Sequence, residues 1–266
     1  MKRRLLPILM TLVLVCALPI WAAFVTSGDV TNPLVSTAWA TLPDLQAKID
    51  AAADNATITL DSNTEIAATL QITKNLTLDL NGCTLRMTGT GSVLKVSGRA
   101  TLTITDSSAA KSGTITGGNA EYGGGVYVDD YAALKMTGGC ITGCHASRGG
   151  GGIYSSGNLY MGGTAKIEKC TGSDDAIWNR ENSDIYADGG TVDGTVNNQG
   201  RIKRSEGAAA VTVFNGTVYN RSAGTIIAGI YNGTVENNGT ISGGTFCGGV
   251  TIRKGSWVWE RTGSIS

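Results

Sequence analysis

The acidic, basic, aromatic and thiol residues in the middle of this 266-residue chain are where chemistry is to be sought. Asp129, Asp130, Asp174, Asp175 and Asp184 supply carboxylates, with Arg148 and Arg180 nearby in sequence. Carboxylates that hold calcium beside a basic side chain are what lyase cleavage of a polysaccharide requires. Calcium takes several oxygen ligands converging on one point. These acids fall in different loops, and Asp is a common turn former there, so solvated turns are the simpler expectation. His145 is the only histidine. No Ser or Cys stands beside an evident His–acid pair, which leaves nucleophilic catalysis without support. No catalytic residue, metal ligand or cofactor is therefore assigned.

Five cysteines follow the N-terminal apolar segment: Cys83, Cys140, Cys144, Cys170 and Cys247. The CITGC spacing lacks the second pair that a zinc site needs. Cys144 and Cys170 occupy the same place in successive repeats. They are read either as two small buried residues stacked at an inner turn or as an inter-coil disulfide.

The aromatic residues give the clearest surface pattern. Val126 and Val128 point inward, so Tyr127 between them points out. Tyr154 and Trp178 take the same placement in the next two repeats. Tyr127, Tyr154 and Trp178 thus form one outward column, and Lys135, Tyr160 and Tyr186 form a second. Exposed ring faces on a rigid support suit the apolar faces of sugars. The competing role is stacking that only stabilises the strands, worth roughly 0.2–1 kcal/mol per pair. Tyr127, Tyr154, Trp178, Tyr160 and Tyr186 are the candidate ligand-binding residues.

What must position these columns is a short repeat. GGGVY at 123–127 returns as GGGIY at 150–154. Leu134-Lys135-Met136 returns as Leu159-Tyr160-Met161, and Ile141 to Cys144 as Ile167 to Cys170. The step is roughly 26 residues each time, and a unit that small is one rung of a stack. The segments ATITL (56–60), LTLDL (76–80), TLTIT (101–105) and TIT (114–116) alternate apolar and polar residues, as half-buried strands do. Such short strands bury their inner faces by pairing with the next coil, ~4.8 Å away. Beyond position 200 the period shrinks. NGTV at 215–218 recurs at 232–235, Ile226 is followed by Ile241, and Ile230 by Phe246. The step there is roughly 15–17 residues, a tighter rung of the same kind. The expected fold is all-β, a right-handed parallel β-helix. Coils of roughly 26 residues occupy 54–200, and shorter coils occupy 201–252.

Composition agrees. Glycine makes up 38 of 266 residues, and no proline follows Pro43, which fits uninterrupted strand ladders. Basic and acidic residues balance at 21 each, so no electrostatic nucleic-acid binder is expected. Lys2-Arg3-Arg4 precedes an apolar run from Leu5 to Val25, which reads as a signal peptide over 1–27. Export follows; the membrane is a partner only if that segment stays uncleaved. A linker is expected at 28–38, and a tail at 253–266. Residues 39–53 predict one amphipathic helix, with Thr41 and Asp44 in a capping-box pattern. Leu45, Ile49 and Ala52 share its apolar face, and a cap over the open end of the stack is its expected role.

LTLDLNGCTL (76–85), TLTITDSS (101–108), GTITGG (113–118), the GGGVY/GGGIY phrase and NGTVENNGTISGGTFCGGV (232–250) resemble the parallel β-helix surface proteins of Gram-positive gut-type bacteria. Those proteins share their coil architecture with pectate lyases. The resemblance covers roughly residues 39–252. It implies an extracellular, secreted or cell-surface, adhesin-like role, with a host or microbial polysaccharide or surface protein as partner. It also implies Asn or Cys at the inner turns, where Cys144 and Cys170 are expected. The family's wall-sorting motif is not found in the terminal SWVWERTGSIS, and the expectation is either an unattached protein or a truncated chain. The alternative on the same scaffold is a polysaccharide lyase or glycoside hydrolase. Pectin-cleaving hydrolases use clustered Asp, a GHG and an RIK. Here Asp174-Asp175 and Arg201-Ile202-Lys203 are present, GHG is absent, and fold analogy alone does not carry function. Ice binding needs regular outward Thr-x-Thr arrays, of which only fragments occur.

Overall fold

The structure, a computed structural model, describes residues 45–173 and 176–253, and the strand Trp257–Val258. The signal peptide, the linker, the start of the expected helix, Asp174, Asp175 and most of the tail lie outside the described residues. Trp257–Val258, within the expected tail, pairs with Thr240–Ile241.

The chain is a parallel β-helix. Among the described residues, strands stack in parallel, in-register ladders that form a 17-stranded, a 9-stranded and a 3-stranded sheet. The largest sheet joins two ladders, because Asn158–Glu168 and Asp184–Val192 are long enough to run through both. The register matches the repeat: Val126 lies against Ile153, Leu134 against Leu159, and Ile141 against Ile167. These six side chains are fully buried, because each coil removes its inner residues from water only against the next.

The triple-glycine phrase has a packing cause. A side chain at Gly125 would collide with Ile141 and the Gly152 carbonyl, and one at Gly152 with Ile167 and the Ala176 carbonyl. The backbone there passes directly against the inner column, which only a residue without Cβ permits.

The described helix runs Leu45–Ala51, with Leu45 and Ile49 buried. Its Gln46 amide donates to the Gln71 carbonyl and accepts the Gln71 N–H. One side chain thereby satisfies the free edge of the strand Leu70–Ile72, which is how an exposed edge is blunted. Lys74 donates to the Asp50 and Ala52 carbonyls at the helix C-terminus, where a cation is favoured.

Coil length shortens unevenly. Ile185 pairs with Ile202 across a short coil, but Ile202 pairs with Ile226, after an insertion that follows the strand Arg201–Lys203. Ile226 then pairs with Ile241 and Val218 with Val235. The expected match of Ile230 with Phe246 is displaced by one residue: Tyr231 pairs with Phe246, and Ile230 with Thr245. A one-residue slip exchanges the faces of a strand, so Tyr231 is the buried member. It stacks between Phe214 and Phe246 at 5.0 and 4.9 Å. Its hydroxyl donates to the Ala228 carbonyl at 2.6 Å.

Inside one turn edge runs a file of buried asparagines. Asn179 donates to Asn198, Asn198 to Asn220 and Asn220 to Asn237, at 2.8, 2.8 and 2.7 Å. All four are fully buried, and their amides meet the rule that buried polar groups find partners.

Candidate functional site

Both aromatic columns exist in the expected register. Tyr127 lies beside Tyr154, and Tyr154 beside Trp178. Lys135 lies beside Tyr160, and Tyr160 beside Tyr186. Their surroundings differ from expectation in one respect. Tyr154 occupies the outer face of its strand yet is only 7% exposed. Tyr122, from the strand Asn119–Tyr122 of the smallest sheet, lies over it with ring centroids 4.9 Å apart. The smallest sheet therefore roofs this part of the column. Trp178 is drawn in as well: a Cβ at Gly149 would fall inside its indole ring, so only glycine admits the contact. The Trp178 Nε1–H is buried and has no hydrogen-bond partner.

The second column is more open, but its ring faces are occupied. Tyr160 and Tyr186 stack at 4.2 Å with planes 10° apart. The Lys203 ammonium covers the Tyr186 ring at 4.5 Å from the centroid. The first column ends in the same way, with Lys95 over Tyr127 at 5.3 Å. Rings that face one another along the axis present edges and hydroxyls outward, so a sugar cannot lie flat on most of them. Stacking of this kind adds roughly 0.5–1.5 kcal/mol per pair beyond the area it buries.

The charged residues are engaged separately. Asp184 accepts from Arg201 Nε at 2.6 Å and from Lys203 Nζ at 2.7 Å. Burial would raise its carboxyl, but the bonds from Arg201 and Lys203 together outweigh that and hold it below the usual carboxylate range. The RIK segment is thus an ion-paired strand. Asp129 lies 4.0 Å from Lys95, and Arg148 pairs with Glu121. Among the described residues no cluster of three or more His, Cys, Asp or Glu side chains could hold a metal ion.

Cys144 and Cys170 are both buried free thiols. Their backbones are joined by the bond from Thr171 N to the Cys144 carbonyl. A hydrogen bond with Cys170, and then burial, push the Cys144 thiol far up. They belong to a different turn edge from the asparagine file. The sequence predicts cysteines, not these asparagines, at inner turns. The available signal was the phrase IWN, VNN, VYN, VEN at 177–179, 196–198, 218–220 and 235–237, an apolar residue two places before each Asn.

Two clefts open along the turn edge that this file continues. A cleft of about 450 Å³ is lined by residues of three successive turns, 129–132, 156–157 and 180–183, and by Asn158. A second, of about 340 Å³, lies between turn 180–183 and turn 221–224, over turn 199–200. Tyr131, 85% exposed, stands at the rim of the first cleft. The fold and these surfaces define a parallel β-helix with a notched turn edge. No family model, curated protein or solved structure matches the chain.

Proposed function

We propose that this protein is an exported, adhesin-like interaction protein of the bacterial surface or surroundings, and that it binds glycan polymers along its solenoid axis. The observation that carries the reading is the in-register stack of coils, which sets equivalent outward and turn positions in line along one rod. Strands advance ~4.8 Å per coil, so outward positions recur in line from coil to coil, as Lys135, Tyr160, Tyr186 and Lys203 do over four coils. A linear, repeating surface matches a linear, repeating partner. The basic, then apolar, N-terminal segment supports export.

Individual contacts of this kind are weak, and many copies on a surface or polymer make them useful. The test is to incubate the purified protein with insoluble polysaccharides and to measure both retention and released products. Retention without reducing or ultraviolet-absorbing products is the expected result. Product formation would move the assignment to a lyase or hydrolase, and failure to be retained on any glycan would overturn the reading.

A further inference from the structure

We infer that the two clefts on the turn edge are consecutive subsites for a neutral β-linked glycan with a disaccharide repeat. The inference rests on the glycan reading above and places the site away from the aromatic columns. The clefts arise from alternating turn length. Turns 129–132, 180–183 and 221–224 have four residues, each closed by a bond from the fourth N–H to the first carbonyl. Between them, turns 156–157 and 199–200 have two residues and sit lower. Each short turn is therefore the floor of a notch between two ridges.

The floors are rigid and built alike. Ser156 and Asn158 donate their N–H groups to Val128 and Ala132, and Gln199 and Arg201 do the same to Asn179 and Ser183. The glycine of each floor is pressed against the preceding ridge. A Cβ on Gly157 would meet the Ala132 and Asp129 carbonyls, and one on Gly200 would meet those of Ser183 and Arg180. From beneath, Ser155 Oγ donates to the Gly157 carbonyl and Asn198 Nδ2 to that of Gly200. Ser155 and, two coils on, Asn198 thus hold the two floors from the same register position.

The spacing selects the ligand. Successive notches are two coils apart, about 9.6 Å from the strand spacing. That is close to the length of two sugar rings in an extended chain. An extended peptide presents same-side groups every ~6.7 Å and falls out of step. A polyproline helix repeats at about 9.3 Å, but it docks on aromatic-lined grooves. These notches are lined mainly by hydroxyl, amide and charged groups, including Ser156, Asn158, Asn182 and Gln199. Amides and hydroxyls both donate and accept, as sugar hydroxyl and acetamido groups do. Both signs of charge line the clefts, Asp130, Arg180 and Glu181 in the first and Glu181 and Arg201 in the second, so neither favours a polymer of one charge. Tyr131 supplies the exposed ring: it stands at φ 63°, a left-handed conformation uncommon for a bulky side chain. Asn182 repeats that conformation at the same place in the next ridge, at φ 65°.

Calorimetric titration of the full chain with β-1,4-glucose and β-1,4-N-acetylglucosamine di-, tetra- and hexasaccharides tests this, with a proline-rich peptide as comparator. For one of the two sugar series, affinity should rise roughly tenfold, about 1.4 kcal/mol, from di- to tetrasaccharide and then level off. Ser156→Trp or Gln199→Trp, each filling one notch, should abolish that gain with little change in melting temperature. Tyr131→Asn should weaken binding while leaving stability unchanged or higher, since Asn accepts the left-handed conformation. A length gain that survives both filled variants overturns the inference. So does binding of the peptide in place of the sugars, or retention on polysaccharide that none of the three variants alters. Those outcomes leave the broader glycan reading standing, whereas loss of all glycan retention by the unaltered protein removes both.

Discussion

Replacing Asn198 with Ala should be among the most damaging single changes in the second half of the solenoid. Asn198 is fully buried and makes three hydrogen bonds. Its loss leaves the Asn220 Oδ1 acceptor without the 2.8 Å donor it now has. Asn179 Nδ2 keeps only a 3.4 Å bond to the Ser183 carbonyl, while its Oδ1 still accepts from Ser183 Oγ at 2.8 Å. The Gly200 carbonyl still accepts from Thr225 N, so one acceptor is stranded outright. A stranded buried group costs about 1–3 kcal/mol. With the space left by the side chain, the total is about 2–4 kcal/mol. Adding Asn220→Ala removes the stranded acceptor, and Asn237 Oδ1 retains the Gly239 N–H. The double variant should therefore cost less than the sum of the singles, by about 0.5–3 kcal/mol. Urea unfolding followed by far-ultraviolet circular dichroism measures the cycle. Amide exchange locates the loss, because repeat stability depends mainly on neighbouring coils; protection should fall first at Val196–Asn198 and Val218–Asn220. Strict additivity of the two substitutions would falsify the idea that the file acts as one network.

Two further outcomes are expected. Asp106 accepts four bonds, from Gly82, Ser108 N and Oγ, and Gly113. Burial would raise its carboxyl, but those bonds together hold it, like Asp184, below the ordinary value of 3.8. A depressed folded-state pKa contributes stability that is present above the unfolded value and lost as pH falls through the folded one. Stability should therefore decline as pH drops below about 4, and Asp184→Asn should flatten that decline; a pH series of melting temperatures with no such flattening rejects the role given to the Arg201–Asp184–Lys203 contact. Cys247 is exposed, while Cys144 and Cys170 are buried, so brief alkylation of native protein, read by mass spectrometry, should label Cys247 and spare the buried pair until the middle coils open.

How far the sequence reached can be judged from particular residues. GGGVY and GGGIY, with Leu134 and Leu159 in step behind them, are local patterns, and parallel stacking converts sequence offset directly into register. The coil repeat, the inner columns and the alignment of Tyr127, Tyr154 and Trp178 were therefore legible by themselves. The slip at Ile230 occurred where adjacent apolar residues, Ile230 and Tyr231, left two registers open, and only the packing of Tyr231 between two phenylalanines chose one. The covering of Tyr154 was not legible, because Tyr122 comes from a different sheet and earlier coil, and no periodicity predicts which outer face a third ladder will roof. The asparagine file and the notches share that character. Each Asn looks like an ordinary turn residue, and a two-residue turn differs from a four-residue one only as a gap in the repeat. Sequence determines turn length; a cleft exists only when stacking brings a short turn between two long ones, and a buried amide is stable only when its partner one coil away stands within hydrogen-bond reach.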